Sequence, residues 1–373
     1  MAETKAKKPC AKKSCAKKKN EPVLRIGSVG IGGMGNCHVG AHAANPRVKI
    51  VALCDLVPEK CQAAIERHKL DPDTPIYTDF REMIEKEQLD AVDIATPNYL
   101  HSTIAVAALN GGKHVFCEKP DSITVENVLA MKAAAEESGK VLMVMRNNRF
   151  VEASSFAKQF IEEGRMGEIY AGRCGRQRRR GIPGKGGWFT TKEESGGGPL
   201  IDLGVHMIDL AIWLMGNPTP VAVSGNTFRY FANSNTSDSV HSKFGDAKNA
   251  GTFDVEDLAM GMIRFDNGAM LQIEFSWASN IKQENRFVEL RGSKAGLTWK
   301  DEELELYTED LGKLVDIAPR FKSVSGHGMN LKHFIDVLEK GVEPCFKPQQ
   351  GVDMVKILSA IYESAETGRE VIL

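Results

Sequence analysis

The stretch VLRIGSVGIGGMGNCHVGAHAA, residues 23–44, decides the architecture. It opens on a short apolar run containing Val23, Ile26 and Val29, then turns through glycines into a helix-like segment. Gly30, Gly32 and Gly35 form the spacing G-x-G-x-x-G. The first glycine permits a tight turn, the second lets a pyrophosphate approach the backbone, and the third lets the helix lie close to the strand. The free N–H groups where the helix begins suit phosphate oxygens. Residues Gly30, Gly32, Gly33, Met34 and Gly35 are therefore candidate dinucleotide ligands.

The segments that follow support this reading. VKIVALCD reads as the next strand and ends on Asp55, twenty residues after Gly35. An acid there accepts both ribose hydroxyls of an adenosine and repels a 2′-phosphate, which favours NAD over NADP. AVDIAT, KHVFCEKP and VLMVM read as further strands, separated by the helical patterns PNYLHSTIAVAALNGG and TVENVLAMKAAAEESGK. Such alternation implies a parallel sheet covered on both faces, with ligands beyond the carboxyl ends of its strands. Thr96, Pro97, Asn98 and His101 follow one such end; Glu118, Lys119 and Pro120 follow another. Both groups are expected to line one crevice. Lys119 there can hydrogen-bond a substrate hydroxyl and stabilise an alkoxide, and a cis bond at Pro120 is allowed.

From about Asn148 the pattern changes. SSFAKQFIEEG reads as a helix and EIYAGRCGRQ as a strand. PVAVSGNTFRYF, DLAMGMIRFDNG, AMLQIEFSWAS and NRFVELRGSKAG are turn-linked alternating segments, which implies a mostly antiparallel open sheet. NLKHFIDVLEKG and GVDMVKILSAIYESAETG read as closing helices, and residues 232–251 as a polar loop. Within this half lies GGGPLIDLGVHMID, residues 196–209, where Asp202, His206 and Asp209 interrupt an otherwise apolar helix. Spacings of four and three put them on one face. That pattern fits an Asp–His pair satisfied in the core as well as it fits a face turned into a cleft, where Asp202 orients His206 for proton transfer. Upstream, RQRRRGIPGKGGWFT (residues 176–190) leads into the glycines. Its charge run reads either as a ligand-binding strand end or as a solvated or intersubunit strand. Arg180 and Trp188 are assigned to the substrate and Arg178 to solvent.

The chain has 373 residues, 42% hydrophobic and 26% charged, with a net charge of −1. The fold class expected is α/β: a doubly wound Rossmann domain over residues 21–147, then an α+β domain over 148–373. Residues 1–20 carry eight lysines against one acid and read as a disordered basic tail. No global field suggests nucleic acid, no run reads as a bilayer span, and no cysteine spacing reads as a metal site or a disulfide framework. A cytoplasmic, reducing location is expected.

The ordered motifs GIGGMG, ATPNYLH, HVFCEKP, GGGPLIDLGVHMIDLA and DVEDLAMGMIRFDNGA resemble those of the Gfo/Idh/MocA family of NAD(P)-dependent oxidoreductases, over residues 22–373. The resemblance implies Lys119, Asp202 and His206 as catalytic residues. His206 would remove a hydroxyl proton as hydride passes to nicotinamide, Lys119 would hold the same oxygen, and Asp202 would orient or tune the site. It places Arg149 near the substrate and Asp209 in a structural or edge position. It implies a sugar or polyol substrate and a homodimer or homotetramer formed through the open sheet. Two other functions remain open at this level: redox-neutral glycoside cleavage through a transient keto-sugar, and a non-catalytic NAD sensor.

Overall fold

The computed structural model describes residues 23–234, 247–248 and 250–373. The basic tail and most of the polar loop 232–251 lie outside the described residues. The first sheet contains β1 (Leu24–Val29), β2 (Val48–Cys54), β3 (Ile76–Tyr77), β4 (Ala91–Ile94), β5 (His114–Cys117) and β6 (Leu142–Val144). Their order is β3-β2-β1-β4-β5-β6 and every pairing is parallel. Helices α1 (Gly33–Ala43), α2 (Pro58–His68), α3 (Phe80–Lys86), α4 (His101–Asn110) and α5 (Val125–Ser138) connect the strands. Strands buried on both faces need near-continuous apolar runs, and Val92, Ile94, Val115 and Phe116 supply them at 0% exposure.

The second body begins with α6 (Glu152–Glu162), β7 (Ile169–Gln177) and the short α7 (Lys192–Ser195). A wide π-type turn, Leu200–Gly204, then runs directly into α8 (Val205–Leu214). Seven strands follow: β8 (Pro220–Phe228), β9 (Leu258–Phe265), β10 (Met270–Ser276), β11 (Asn285–Gly292), β12 (Gly296–Lys300), β13 (Glu303–Asp310) and β14 (Lys313–Ile317). Helices α9 (Gly326–Lys340) and α10 (Pro348–Thr367) and the short β15 (Val371–Ile372) close the chain. The sheet order is β14-β13-β12-β11-β7-β10-β9-β8-β15, antiparallel except for β10 beside β7. Strands β12 to β14 extend this sheet beyond the four alternating segments foreseen after Gly196.

One face of the large sheet carries α8, whose Met207, Ile208, Leu210, Ala211 and Leu214 are fully buried against Ile273, Phe275 and Val288. Lys192–Leu214 is long and apolar enough to cross a membrane by length and composition, a run that the sequence reading missed. In the fold, 78% of its apolar window is buried inside the protein, as a core helix would be.

The chain then returns to the first sheet. Leu331, Phe334, Ile335 and Val337 of α9 pack on Ile26, Ala91, Phe116 and Met143 of the parallel strands. Val352 and Val355 of α10 pack on Val128 of α5. The two closing helices therefore bind the second body to the first. The six described cysteines are free, four of them buried.

Candidate active site

The glycine loop has the shape its sequence requires. Gly30 has φ of +83° and an added Cβ would lie 2.6 Å from the Ala95 carbonyl oxygen. A Cβ on Gly35 would collide with the Gly30 carbonyl oxygen at 1.8 Å, so only glycine lets α1 start this close to β1. Gly32 and Gly33, by contrast, face open space. Gly32 caps α1 without a side-chain hydrogen bond, which leaves the first-turn N–H groups of Gly33, Met34 and Gly35 for a ligand's oxygens. Asp55, just past β2, accepts from Ile31 N at 2.7 Å and Val57 N at 2.9 Å, which fixes the acid beside the loop. Thr96 Oγ1 is buried without a partner at the next strand end. An open glycine cradle, free amides, a fixed acid and an orphaned hydroxyl fit a dinucleotide.

Other expected cofactor ligands are engaged within the protein. His101 is fully buried, its ring nitrogens 2.8 Å from the Pro120 carbonyl and 3.0 Å from the Thr96 carbonyl. It ties two strand-end loops together and does not face the crevice. Asn98, after Pro97, donates to Ser195 O at 2.8 Å and so links the first body to α7. Glu118 is buried, 3.0 Å from His38 Nε2, and accepts from its neighbour Lys119 N at 3.0 Å. His38 also reaches Asp93 at 3.1 Å, and His42 reaches the same carboxylate at 3.2 Å. This buried quartet was not foreseen; its only trace is a histidine three residues after the last motif glycine and an acid inside the strand AVDIAT. Burial disfavours a charged His38, but Asp93 and Glu118 outweigh it and raise its pKa to about 10. Burial likewise opposes ionisation of Glu118, yet His38 and Lys119 bring it down to about 2.

The Lys119–Pro120 bond is cis. The Lys119 ammonium crosses to the second body, where it donates to Asp202 Oδ1 at 2.9 Å and to the Asp202 carbonyl at 3.2 Å. Trp277 Nε1, buried after β10, donates to Asp202 Oδ2 at 2.9 Å. Burial opposes the Asp202 charge, but Lys119, Arg178 and Trp277 overcome it and hold the carboxyl well below its usual range. Asp202 makes no hydrogen bond to His206, so the expectation that it orients the imidazole is corrected: it holds the lysine. Asp202 sits in the π-type turn that leads into α8, a feature frequent at functional sites. His206 lines one pocket with Lys119, Arg146, Asn147, Asn148 and Asp209. Burial lowers its pKa well below 6.5, and Lys119, Arg176 and His327 add to this against the pull of Asp202. It is a neutral imidazole at neutral pH, able to accept a proton.

The three interruptions of the apolar helix thus have two fates. Asp202 and His206 are half-buried at the cleft, while Asp209 is buried beneath it. Arg149 donates to Asp209 at 2.6 and 2.8 Å and to the Cys345 carbonyl at 2.6 Å. Arg146 lies 2.8 Å from Asp209 and donates to Asp121 at 2.6 Å. Arg149 is therefore a buried scaffold residue rather than a substrate ligand, because its guanidinium is saturated.

The N-terminal end of the segment that carries Asp202 and His206 is capped from afar. Glu256 accepts from Gly198 N at 2.9 Å, Leu200 N at 3.1 Å and the Tyr362 hydroxyl at 3.0 Å. A Cβ on Gly197 would strike the Tyr362 hydroxyl and one on Gly198 the Glu256 carbonyl, which explains the glycines.

Arg178 and Arg180 are both half-buried. Arg180 is tied to the carbonyls of Arg179 and Ser279 and to Asn280, with its guanidinium over Phe231. Arg178 donates to the Gly181 carbonyl at 3.0 Å, and its charge helps hold the Asp202 carboxyl below its usual range. Strand alternation puts Arg176 on the same face of β7 as Cys174, which packs in the core shared with α8, and Arg178 follows the end of the strand. Trp188 is half-buried and stacked on Phe189. No group of His, Cys, Asp and Glu able to hold a metal occurs among the described residues.

Comparison with known proteins places this architecture. Residues 24–146 match the model of an oxidoreductase family with an NAD-binding Rossmann fold, and residues 155–298 match the GFO/IDH/MocA C-terminal domain. The chain belongs to the Gfo/Idh/MocA oxidoreductase family. It is 32% identical to D-glucoside 3-dehydrogenase of Escherichia coli K12 over 351 residues, 93% of this chain and 97% of that one. It is 33% identical to levoglucosan dehydrogenase of Pseudarthrobacter phenanthrenivorans over 295 residues, covering 75% and 74%. The solved structure of a levoglucosan dehydrogenase in complex with NADH superposes with a TM-score of 0.82 at 27% identity, covering 94% of this chain and 98% of that one. This oxidoreductase is accordingly an NAD-dependent enzyme of the sugar and cyclitol dehydrogenase family, with its NAD-binding Rossmann domain over residues 24–146.

Proposed function

We propose that this oxidoreductase oxidises a secondary alcohol of a sugar, sugar derivative or cyclitol. His206 takes the hydroxyl proton, Lys119 hydrogen-bonds the same oxygen as negative charge develops, and Asp202 holds the ammonium in place. NAD, when bound, supplies the hydride acceptor. The observation that carries this reading is the Lys119 amine 2.9 Å from Asp202, with Lys119 and a neutral His206 lining one narrow void. An electrostatic donor and a base are then available to one oxygen. The sugar-acting relatives support the substrate class, and Asp55 supports NAD over NADP. We further infer a homodimer or homotetramer through the outer sheet face, where Tyr170, Met260 and Met262 are exposed, in the cytoplasm.

The test is a panel of polyols and glycosides with purified protein and NAD, followed for both NADH and released aglycone. Substrate-dependent NADH supports the proposal. Aglycone release without net NADH would replace it with redox-neutral cleavage, and neither product from any member would remove it.

A further inference from the structure

The void lined by Lys119 and His206 has a further polar residue on its wall. Arg146, Asn147 and Asn148 line it from the loop after β6, and Val205, His206 and Asp209 line it from α8. Asn147 Oδ1 is buried, and no donor among the described residues reaches it. Its neighbours fix which end of the amide is orphaned. Asn148 donates through Nδ2 to the His206 carbonyl at 3.3 Å, so its other end is an acceptor. Asn147 Nδ2 donates to that acceptor, Asn148 Oδ1, at 3.2 Å. Turning the Asn147 amide over would set two carbonyl oxygens against each other, so Oδ1 is the end left without a partner. The same two hydrogen bonds tie the orphaned amide to His206.

The cationic donors on the same wall are engaged elsewhere. Lys119 Nζ donates to Asp202 Oδ1 and to the Asp202 carbonyl. The Arg146 guanidinium donates to Asp121 and to the Met145 carbonyl. A buried acceptor without a donor is destabilising, and beside a reaction site it is completed by what binds. The reacting hydroxyl cannot complete it, because that group has one proton and His206 takes it. A second O–H on the same molecule is needed. The nearest that a sugar or cyclitol offers is on the carbon next to the one oxidised.

We propose that Asn147 is a specificity residue: its Oδ1 accepts a hydrogen bond from the free hydroxyl beside the carbon that is oxidised, so the substrate is a vicinal diol and not a lone secondary alcohol. The inference rests on the proposed alcohol oxidation and narrows its substrate class.

The test measures kcat/KM with NAD for methyl β-D-glucopyranoside, D-galactose and myo-inositol and for the monodeoxy derivatives of each. Loss of the reacting hydroxyl abolishes NADH formation. Loss of one neighbouring hydroxyl is expected to lower kcat/KM by about 10- to 100-fold. In Asn147→Ala that ratio should fall to within about threefold of one, because the hydroxyl has lost its acceptor. Asn147→Asp, which keeps an oxygen in place, should retain it. Each ratio is taken within one enzyme, so a general loss of activity or of folded protein cancels. A neighbouring hydroxyl worth less than about threefold in the parent, or a ratio unmoved by Asn147→Ala, would overturn the inference and leave the oxidation standing. NADH affinity about tenfold weaker in Asn147→Ala with an unmoved ratio would also overturn it, giving the oxygen to the nicotinamide carboxamide. No NADH from any of the probes would count against the oxidation itself and remove the inference with it.

Discussion

The Lys119 ammonium and Asp202 Oδ1 lie 2.9 Å apart although 83 residues of chain separate them. The contact joins the carboxyl end of β5 to the entry of α8. It ties the two bodies together: the lysine on the NAD-binding side is held by an acid on the other side.

Removal of that ammonium should strike chemistry before cofactor binding. Lys119→Ala is expected to lower kcat by about 10²- to 10⁴-fold, the range for losing one positioned polar group. NAD affinity, measured by titrating the quenching of tryptophan fluorescence, should change by less than about tenfold. A kcat within threefold of the parent would show that the lysine has no part in the reaction.

The pH profile follows from His206. Its working form as a base is the neutral imidazole, present above its pKa. Burial, Lys119, Arg176 and His327 push that pKa well below 6.5 against the opposing pull of Asp202. The rate of alcohol oxidation should therefore stay level from neutrality to below pH 6.5 and fall only in more acid solution. Arg176→Gln removes one of the cations and should move the acid limb upward. Profiles of kcat/KM between pH 4.5 and 8 check both statements.

The buried quartet predicts a stability window. His38 is raised to about 10, so its contribution is complete below pH 6.5 and is lost as pH rises through 10. Glu118 is lowered to about 2, so its contribution is complete above 4.5 and is lost as pH falls toward 2. The quartet stabilises most between about pH 4.5 and 6.5. His38→Leu removes a partner from two buried carboxylates, leaving Asp93 with His42 and Glu118 with Lys119 N, and should cost about 3 kcal/mol there. Urea unfolding across pH should show the alkaline decline of the parent flattened in this variant.

Glu256 is expected to matter to stability more than its distance from the helix suggests. Glu256→Ala leaves two buried amides and the Tyr362 hydroxyl without their acceptor. A loss of about 3 kcal/mol is expected, read as a fall in Tm. The conservative Glu256→Gln should recover part of it, because one amide oxygen can still accept.

Sequence alone made the first body legible because its rules are local. Strand, glycine turn and helix occupy 22 adjacent residues, and Gly30 and Gly35 are required by contacts within that unit. Motif order then located Lys119, Asp202 and His206. What escaped depends on register or on distant partners. Arg176, Arg178 and Arg180 share one parity, so strand alternation does not tell them apart; Arg180 is tied down beyond the end of β7 by the carbonyls that surround it. Arg149 was assigned to the substrate, but its saturation by Asp209 and Cys345 becomes visible only once α8 and the segment before α10 are in place. Glu256 caps a segment 58 residues away, and no spacing rule announces such a partner.

The return of α9 to the parallel sheet has a consequence for how the molecule can be divided. The NAD-binding match ends at residue 146, and a fragment cut there would look complete by its motifs. It would lack the cover over Ile26, Phe116 and Met143, which Leu331, Phe334 and Ile335 supply from far along the chain. Each large side chain withdrawn from such a face forfeits about 1.5–3 kcal/mol. The amino-terminal body is thus no severable module: its integrity is finished by residues 331–337, made long after its own motifs are complete.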